Sequence, residues 1–128
     1  MLKKITPNLM VEDVNQIVDF FKEYLGFEMV MAIPETGQFD WAMMKSGDAE
    51  IMFQSRSSLG EEIAVLKEAV IGGSFTLYID VEGIDELYEK LKDKTEIVQD
   101  MHNTFYGSKE FAVKESNGYI LAFAERAE

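Results

Sequence analysis

The chain has 128 residues, 47% of them apolar, which fits one ordinary globular domain and excludes a disordered chain. Twelve basic residues stand against 24 acidic ones, and the net charge of −12 repels phosphate backbones and anionic lipid, so we expect neither nucleic acid nor membrane as a partner. The absence of cysteine excludes disulfides, thiolate nucleophiles and zinc fingers, and the single histidine, His102, excludes a metal site with two histidines from one chain.

The first half of the chain predicts a strand, a helix and three further strands. Residues 5–11 alternate with a period of two, and residues 14–25 carry the apolar stripe of an amphipathic helix. Asp13 followed by Gln16 predicts the start of this helix through a capping box, and Gly26 predicts its end. Strands follow at 27–33, 39–45 and 50–54.

The second half predicts the same order of elements. Between the halves, Ser58 with Glu61 predicts the start of a short helix that carries Ile63 and Leu66. The elements that follow are a strand at 74–81, a helix with the stripe Ile84, Leu87, Tyr88 and Leu91, and strands at 96–101, 109–114 and 119–125. Residues 116–118 (SNG) favour a tight hairpin between the last two strands.

An internal repeat relates the two halves. Residues 11–19 align with residues 81–89 at an offset of 70, and the same offset pairs 51–53 with 121–123. A register held over both halves predicts one β-α-β-β-β unit used twice. We therefore expect an α+β fold with two cupped, mainly antiparallel sheets. The predicted organisation is a single domain over 1–128, with module one at 1–56, a connecting helix at 57–72 and module two at 73–128.

Four motifs within this repeat carry a family resemblance. They are residues 11–14 (VEDV), 20–27 (FFKEYLGF), 106–111 (YGSKEF) and 115–119 (ESNGY). Together with the duplicated unit they resemble the vicinal oxygen chelate superfamily, which contains glyoxalase I (lactoylglutathione lyase), extradiol dioxygenases, and fosfomycin- and bleomycin-resistance proteins. The resemblance covers essentially the whole chain and implies the glyoxalase/bleomycin-resistance fold.

The resemblance also implies where a metal would be bound. In metal-dependent members the ligands lie on the first and fourth strands of each module, at positions that correspond here to Thr6, Met52, Thr76 and Ala122. The family enzymes have histidine, glutamate or glutamine at these positions. Two threonines, a thioether and a methyl group do not supply the donors that a divalent ion needs. We therefore expect no metal and no cofactor, and the resemblance then points to the metal-free, bleomycin-resistance-like branch.

Strand alternation predicts which side chains share the inward face of each sheet. If the four vacated metal positions face inward, so do their neighbours two residues away, whereas the face of Trp41 is not fixed by alternation. The predicted ligand-binding residues are Asn8, Trp41, Glu50, Gln54, Tyr78, Tyr106 and Glu110.

His102 and Glu110 are the one pair suited to acid–base work. They flank residues 105–107, where a bend would bring a histidine near a carboxylate, an arrangement that can transfer protons at neutral pH. The alternative is a loop histidine with an ordinary hydrogen bond.

The sequence supports two specific hypotheses for the function, beside a third reading in which the chain is a paralogue with a vestigial cup and an interaction role. The first is a cytoplasmic, homodimeric, metal-free protein that resembles bleomycin-resistance proteins and binds a bulky small molecule, with a cationic one favoured by the charge of −12. The second is a metal-dependent enzyme, similar to lactoylglutathione lyases or dioxygenases, with a displaced metal site built from His102, Glu110 and Glu50.

Overall fold

Two sets of helices and strands follow one another along the chain in the computed structural model, which describes residues 1–127. The first unit, Met1–Val70, contains β1 (Asn8–Val11), α1 (Val14–Leu25), β2 (Glu28–Ile33), β3 (Trp41–Ser46), β4 (Ala49–Ser55), α2 (Arg56–Glu62) and a 3-10 helix (Ala64–Leu66). The second unit, from Ile71 onward, contains β5 (Thr76–Asp80), α3 (Ile84–Leu91), β6 (Glu96–Asn103), β7 (Ser108–Lys114) and β8 (Ile120–Arg126).

Each unit has one four-stranded sheet of the same topology. The strand orders are β1-β4-β3-β2 and β5-β8-β7-β6. In each sheet the first and last strands of the unit pair in parallel, and the remaining pairs are antiparallel. The predicted α+β fold with duplicated β-α-β-β-β units is confirmed.

One face of each sheet packs against a helix of its own unit. In the first unit Phe21 of α1 meets Phe53 of β4 edge to face, with ring centroids 4.9 Å apart. In the second unit Phe111 and Phe123 form the centre of the sheet's contribution to the core, and the buried side of α3 carries Ile84, Leu87 and Leu91. Burying one such side chain stabilises the fold by roughly 1.5–3 kcal/mol. Because successive side chains along a strand point to opposite faces, every second side chain of each sheet points away from the helix.

The N-termini of α1 and α3 are capped in different ways, α1 by a neighbouring residue and α3 by a residue distant in sequence. The Asp13 carboxylate accepts a hydrogen bond from the Gln16 backbone N–H at 3.2 Å, and Gly26 ends α1 with a left-handed φ of 71°. Helix α3 has no side-chain cap from its own preceding residue, Gly83. Instead, the Glu125 carboxylate on β8 accepts the N–H groups of Gly83 and Ile84 at 2.9 and 3.1 Å.

Several element boundaries differ from the prediction, and those of β1 and α2 differ most. Strand β1 begins at Asn8, so Thr6 lies outside it; Pro7 has no N–H to donate, and its carbonyl oxygen accepts the Met52 N–H at 2.8 Å. Helix α2 begins at Arg56 because Ser55, and not Ser58, is its N-cap. Its 7 residues end before Ile63, so Leu66 belongs to the separate 3-10 helix.

Strand β6 is longer than predicted and is interrupted by irregular pairing. It runs to Asn103, and its register against β7 shifts between Gln99 and His102. A bulge of this kind bends the strand and changes the direction of its side chains. The single-domain organisation over 1–128 remains a prediction. Within residues 1–127, no helix is long and apolar enough to cross a membrane.

Candidate functional site

The strand registers place the predicted inward-facing residues in rows. In the first unit Asn8 lies opposite Met52, and in the second unit Tyr78 lies opposite Ala122. These two pairs are related by the offset of 70 seen in the sequence. Side chains that are direct partners on adjacent strands point to the same face. The alternation argument therefore places Asn8 with Met52 and Tyr78 with Ala122 on the sheet face away from the helix.

In the first unit Gln54 connects three elements by hydrogen bonds. Its Oε1 accepts from Asn8 Nδ2 at 2.8 Å, and its Nε2 donates to Ser58 Oγ at 2.9 Å and to Glu62 Oε2 at 3.2 Å. The Gln54 side chain is only 4% exposed. Its amide is thus already satisfied by β1 and α2, and any role in ligand binding stays a prediction.

Glu50 of β4 has a cationic partner. Its Oε1 lies 2.9 Å from Lys4 Nζ, and this contact is the main reason that the pKa of Glu50 is below its ordinary value. The Lys4 ammonium therefore already compensates the Glu50 charge, which leaves less attraction for a cationic ligand.

The structure assigns the face of Trp41, which the sequence leaves open. Trp41 lies directly opposite Gln54 in the antiparallel β3–β4 pair, so the two side chains share a face. The indole is half-buried there. Trp41 therefore lies with Asn8 and Gln54, as its predicted role requires.

In the second unit three hydroxyl groups converge on one oxygen of Glu110. Glu110 Oε2 accepts from Tyr78 Oη of β5 at 2.5 Å, from Ser108 Oγ of β7 at 2.7 Å and from Tyr106 Oη of the β6–β7 loop at 2.9 Å. The Glu110 side chain is only 7% exposed, whereas Tyr78 and Tyr106 are 51% and 48% exposed. A nearly buried carboxylate thus lies beneath two half-exposed phenol rings.

The balance of burial and hydrogen bonding keeps Glu110 ionised. Burial raises the pKa of this carboxyl, but the hydrogen bonds from Tyr78, Ser108 and Tyr106 and the charge of His102 together lower it further, so the net pKa is below the ordinary value of 4.5. In turn, the hydrogen bond to Glu110 is the main reason that the pKa of Tyr78 is raised to about 12.

His102 lies beside Glu110 because of strand pairing. The two residues are direct partners in the antiparallel β6–β7 ladder, so no further bend is needed to bring them together. The His102 Nδ1 donates to the Asp100 carbonyl oxygen at 2.8 Å, which leaves Nε2 as the other ring nitrogen for a further contact. His102 is therefore a strand residue and not a loop residue.

Sequence reasoning missed Ser108. It lies just before the predicted strand 109–114, but it is the first residue of β7 and is 3% exposed. Thr104 braces it, with the two hydroxyl oxygens 2.9 Å apart. The available signal was the spacing, because Ser108 and Glu110 are two positions apart on one strand and so share a face.

Comparison with known proteins gives the family. Residues 4–123 match the model of the Glyoxalase/Bleomycin resistance protein/Dioxygenase superfamily. The chain belongs to this superfamily. A bleomycin resistance protein of Geobacillus stearothermophilus is 26% identical over 135 residues, a match that covers 98% of each chain.

Solved structures share the fold of this chain. A glyoxalase/bleomycin resistance protein/dioxygenase family enzyme from Burkholderia phytofirmans PsJN superposes with a TM-score of 0.82 at 14% identity, covering 98% of this chain and 100% of its own. TioX from Micromonospora sp. ML1 superposes with a TM-score of 0.73 at 19% identity, covering 98% and 100%. At these identities the likeness shows the fold alone.

The residues at the positions where the family resemblance implies a metal do not have the chemistry to hold a divalent ion. Met52 and Ala122 offer no hard donor, and Thr6 and Thr76 offer only neutral hydroxyl groups. In the part of the chain that the structure describes, residues 1–127, no group of three or more His, Cys, Asp or Glu side chains could hold a metal ion. The displaced site proposed from His102, Glu110 and Glu50 is not among such groups.

Proposed function

We propose that this superfamily member is a cytoplasmic, metal-free binding protein that takes up a bulky organic cation and anchors it on Glu110. The observation that carries the proposal is a carboxylate only 7% exposed that makes no ion pair within residues 1–127. Burying a charge is costly unless it is paired. A cationic ligand would supply the missing partner.

Glu50, an inward-facing carboxylate of the first unit, provides a contrast. Glu50 has Lys4 at 2.9 Å, whereas within residues 1–127 Glu110 has only hydroxyl donors and the neighbouring His102. The net charge of −12 adds a long-range field that attracts cations. Both features favour a positively charged ligand at Glu110.

The same geometry favours binding over proton transfer at Glu110. A general base works best with a pKa near the operating pH, which usually requires the pKa of a carboxyl to be raised. Here the three hydroxyl donors stabilise the ionised form and the net pKa is lowered. Glu110 is therefore better suited to hold a charge than to accept a proton.

Bleomycin and phenylbutylammonium are the first ligands to test. The relative from Geobacillus stearothermophilus is named for bleomycin resistance and matches 98% of this chain, and phenylbutylammonium is a simple bulky organic cation. Metal-stripped protein would be titrated calorimetrically with each. We expect saturable binding, and a roughly ten- to hundredfold weaker affinity in Glu110→Gln, because a charge-assisted hydrogen bond is lost.

The matched control is Glu89→Gln, which removes a carboxylate on α3 that already has a lysine partner, Lys92, and that is not among the predicted ligand-binding residues. It should leave the affinity within about threefold of the wild-type value. Equal loss in both variants, or no saturable binding of either ligand, would contradict the anchoring role of Glu110.

We also propose that the protein acts as a homodimer. Isologous pairing is the most common arrangement of small symmetric oligomers, and it is the arrangement that the family resemblance implies. Sedimentation equilibrium over a range of micromolar concentrations would test this. A mass equal to that of one 14.6 kDa chain at every concentration would disprove it.

A further inference from the structure

We infer that Glu110 selects alkylammonium ligands over guanidinium ligands, because only one of its two carboxylate oxygens is available. The inference rests on the proposed function, since it specifies which cation the site takes. It concerns Tyr78, Tyr106 and Ser108 as specificity-determining residues that act through Glu110.

The first step is the saturation of Oε2. Ser108, Tyr78 and Tyr106 place three O–H donors on this one atom, at 2.7, 2.5 and 2.9 Å. A carboxylate has about four lone-pair positions, two on each oxygen. Three donors therefore occupy every acceptor direction of Oε2, and no room remains there for a ligand N–H.

The second step is the availability of Oε1. No hydrogen bond or ion pair within residues 1–127 involves this atom. Among the same residues, no fully buried side-chain oxygen or nitrogen lacks a partner. Oε1 is therefore not fully buried, and it is the carboxylate oxygen whose acceptor positions remain open.

The third step is the chemistry of the two cations. A guanidinium gains most from a carboxylate when two parallel N–H groups meet both oxygens at once. An ammonium is a compact point charge and needs only one oxygen. At an ordinary open carboxylate the guanidinium would bind at least as well, but at Glu110 it loses its second hydrogen bond, so the preference is reversed.

The three donors come from separate parts of the second unit. Tyr78 is on β5, Ser108 is on β7, and Tyr106 is on the loop between β6 and β7. Thr104 also fixes Ser108, because the Thr104 Oγ1 accepts the Ser108 N–H at 3.1 Å. The saturation of Oε2 is thus built by the fold and does not depend on one mobile side chain.

The test is a ratio of affinities. Phenylbutylammonium and phenylpropylguanidinium, which have nearly the same length and the same ring, would be titrated into the wild-type protein by calorimetry. We expect the ammonium to bind about tenfold more tightly, which corresponds to one lost charge-assisted hydrogen bond. A guanidinium that binds as tightly as the ammonium, or more tightly, would overturn the inference while leaving the proposed function intact.

The variant is Tyr78→Phe combined with Tyr106→Phe, which keeps both rings and removes two of the three donors. Because Oε2 then has acceptor positions free for a ligand N–H, the affinity for the guanidinium relative to the ammonium should increase by about tenfold. Tyr88→Phe is the control, because it removes a phenol that donates to Asp100 and not to Glu110. An unchanged ratio in the double variant would also overturn the inference.

Thermal unfolding and circular dichroism would establish that the double variant is folded. If it is not, the wild-type ratio alone decides the question. If neither cation binds the wild-type protein, both the proposed function and this inference are wrong.

Discussion

Tyr78 and Glu110 lie on strands that are not neighbours, yet the Tyr78 hydroxyl donates to Glu110 Oε2 at 2.5 Å. Strand β8 runs between them and presents Ala122 opposite Tyr78 and Ala124 opposite Glu110. Because an alanine side chain ends at Cβ, the phenol can reach across the strand. Ala122 is also a position at which the family resemblance places a metal ligand. The residue type that leaves this position without a donor thus also makes room for the Tyr78–Glu110 contact.

Replacing Ala122 by leucine should break this contact. The added side chain would fill the space above β8, and the pKa of Tyr78 should fall from about 12 towards its ordinary value of 10.0. Ultraviolet titration of the phenolates would measure the shift, with Tyr78→Phe to assign it. Tyr88, whose pKa is raised chiefly by its hydrogen bond to Asp100, is the internal control and should not move. A Tyr78 titration unchanged in Ala122→Leu would contradict the explanation.

The lowered pKa of Glu110 predicts a pH-dependent contribution to stability. A carboxyl whose pKa is lower in the folded state stabilises the fold above its unfolded pKa, near 4.5, and this stabilisation is lost as the pH falls through the lower folded value. Glu110→Gln should remove this contribution. The difference in free energy of unfolding between wild type and variant should therefore be largest near neutral pH and shrink below pH 4.5.

Urea denaturation at several pH values would measure that difference. Because wild type and variant share the other carboxyls with lowered pKa values, the contributions of those groups to the pH dependence of stability cancel in the difference. These groups are Glu50, Asp100 and Glu125. A difference that stays constant from neutral pH to pH 3 would show that the ionised form of Glu110 is not stabilised in the folded protein.

Glu115 should be critical for the hairpin between β7 and β8. Its Oε1 accepts the backbone N–H groups of Asn117 and Tyr119, and its Oε2 accepts from Asn117 Nδ2, all at 3.0 Å, in a side chain that is 4% exposed. Glu115→Ala would remove the acceptors of these three hydrogen bonds, one of them buried and two part-buried, and we expect it to lower the free energy of unfolding by about 3 kcal/mol. Urea denaturation would check this.

The control for Glu115 is Glu96→Ala, which removes an exposed carboxylate at the start of β6. It should change the free energy of unfolding by no more than about 0.5 kcal/mol. Similar effects of the two substitutions would mean that the hydrogen bonds of the turn do not stabilise the fold as described.

We expect added divalent metal ions not to bind the protein stoichiometrically. Thr6, Met52, Thr76 and Ala122 offer too few hard donors, so calorimetric titration of stripped protein with nickel, zinc, manganese and anaerobic ferrous iron should show no stoichiometric binding. Treatment with a chelator should likewise leave the melting temperature unchanged. Tight binding of one ion per chain would favour the enzyme hypothesis, and His102→Gln would then test whether the histidine is a ligand.

The repeat, the α+β class, the family and, with the exception of Trp41, the predicted site residues that share a sheet face can be predicted from the amino-acid sequence. These features depend on local periodicity and on register, both of which can be determined from the order of the residues. The ends of α1 are also predictable, because Asp13 and Gly26 act within one turn of the helix. By the same logic, the residue types of Thr6 and Met52 are enough to mark them as poor metal ligands.

What the carboxylates do depends on the tertiary fold. Glu50, Glu110, Glu115 and Glu125 are the same residue type, but their partners are respectively a lysine, three hydroxyls, the donors of a turn and the first N–H groups of a helix. Several of these partners are distant in sequence, such as Lys4 for Glu50 and Tyr78 for Glu110, and they meet only through the tertiary fold. The charge and availability of a side chain depend on such partners, so the candidate site could be located from the sequence but its chemistry could not.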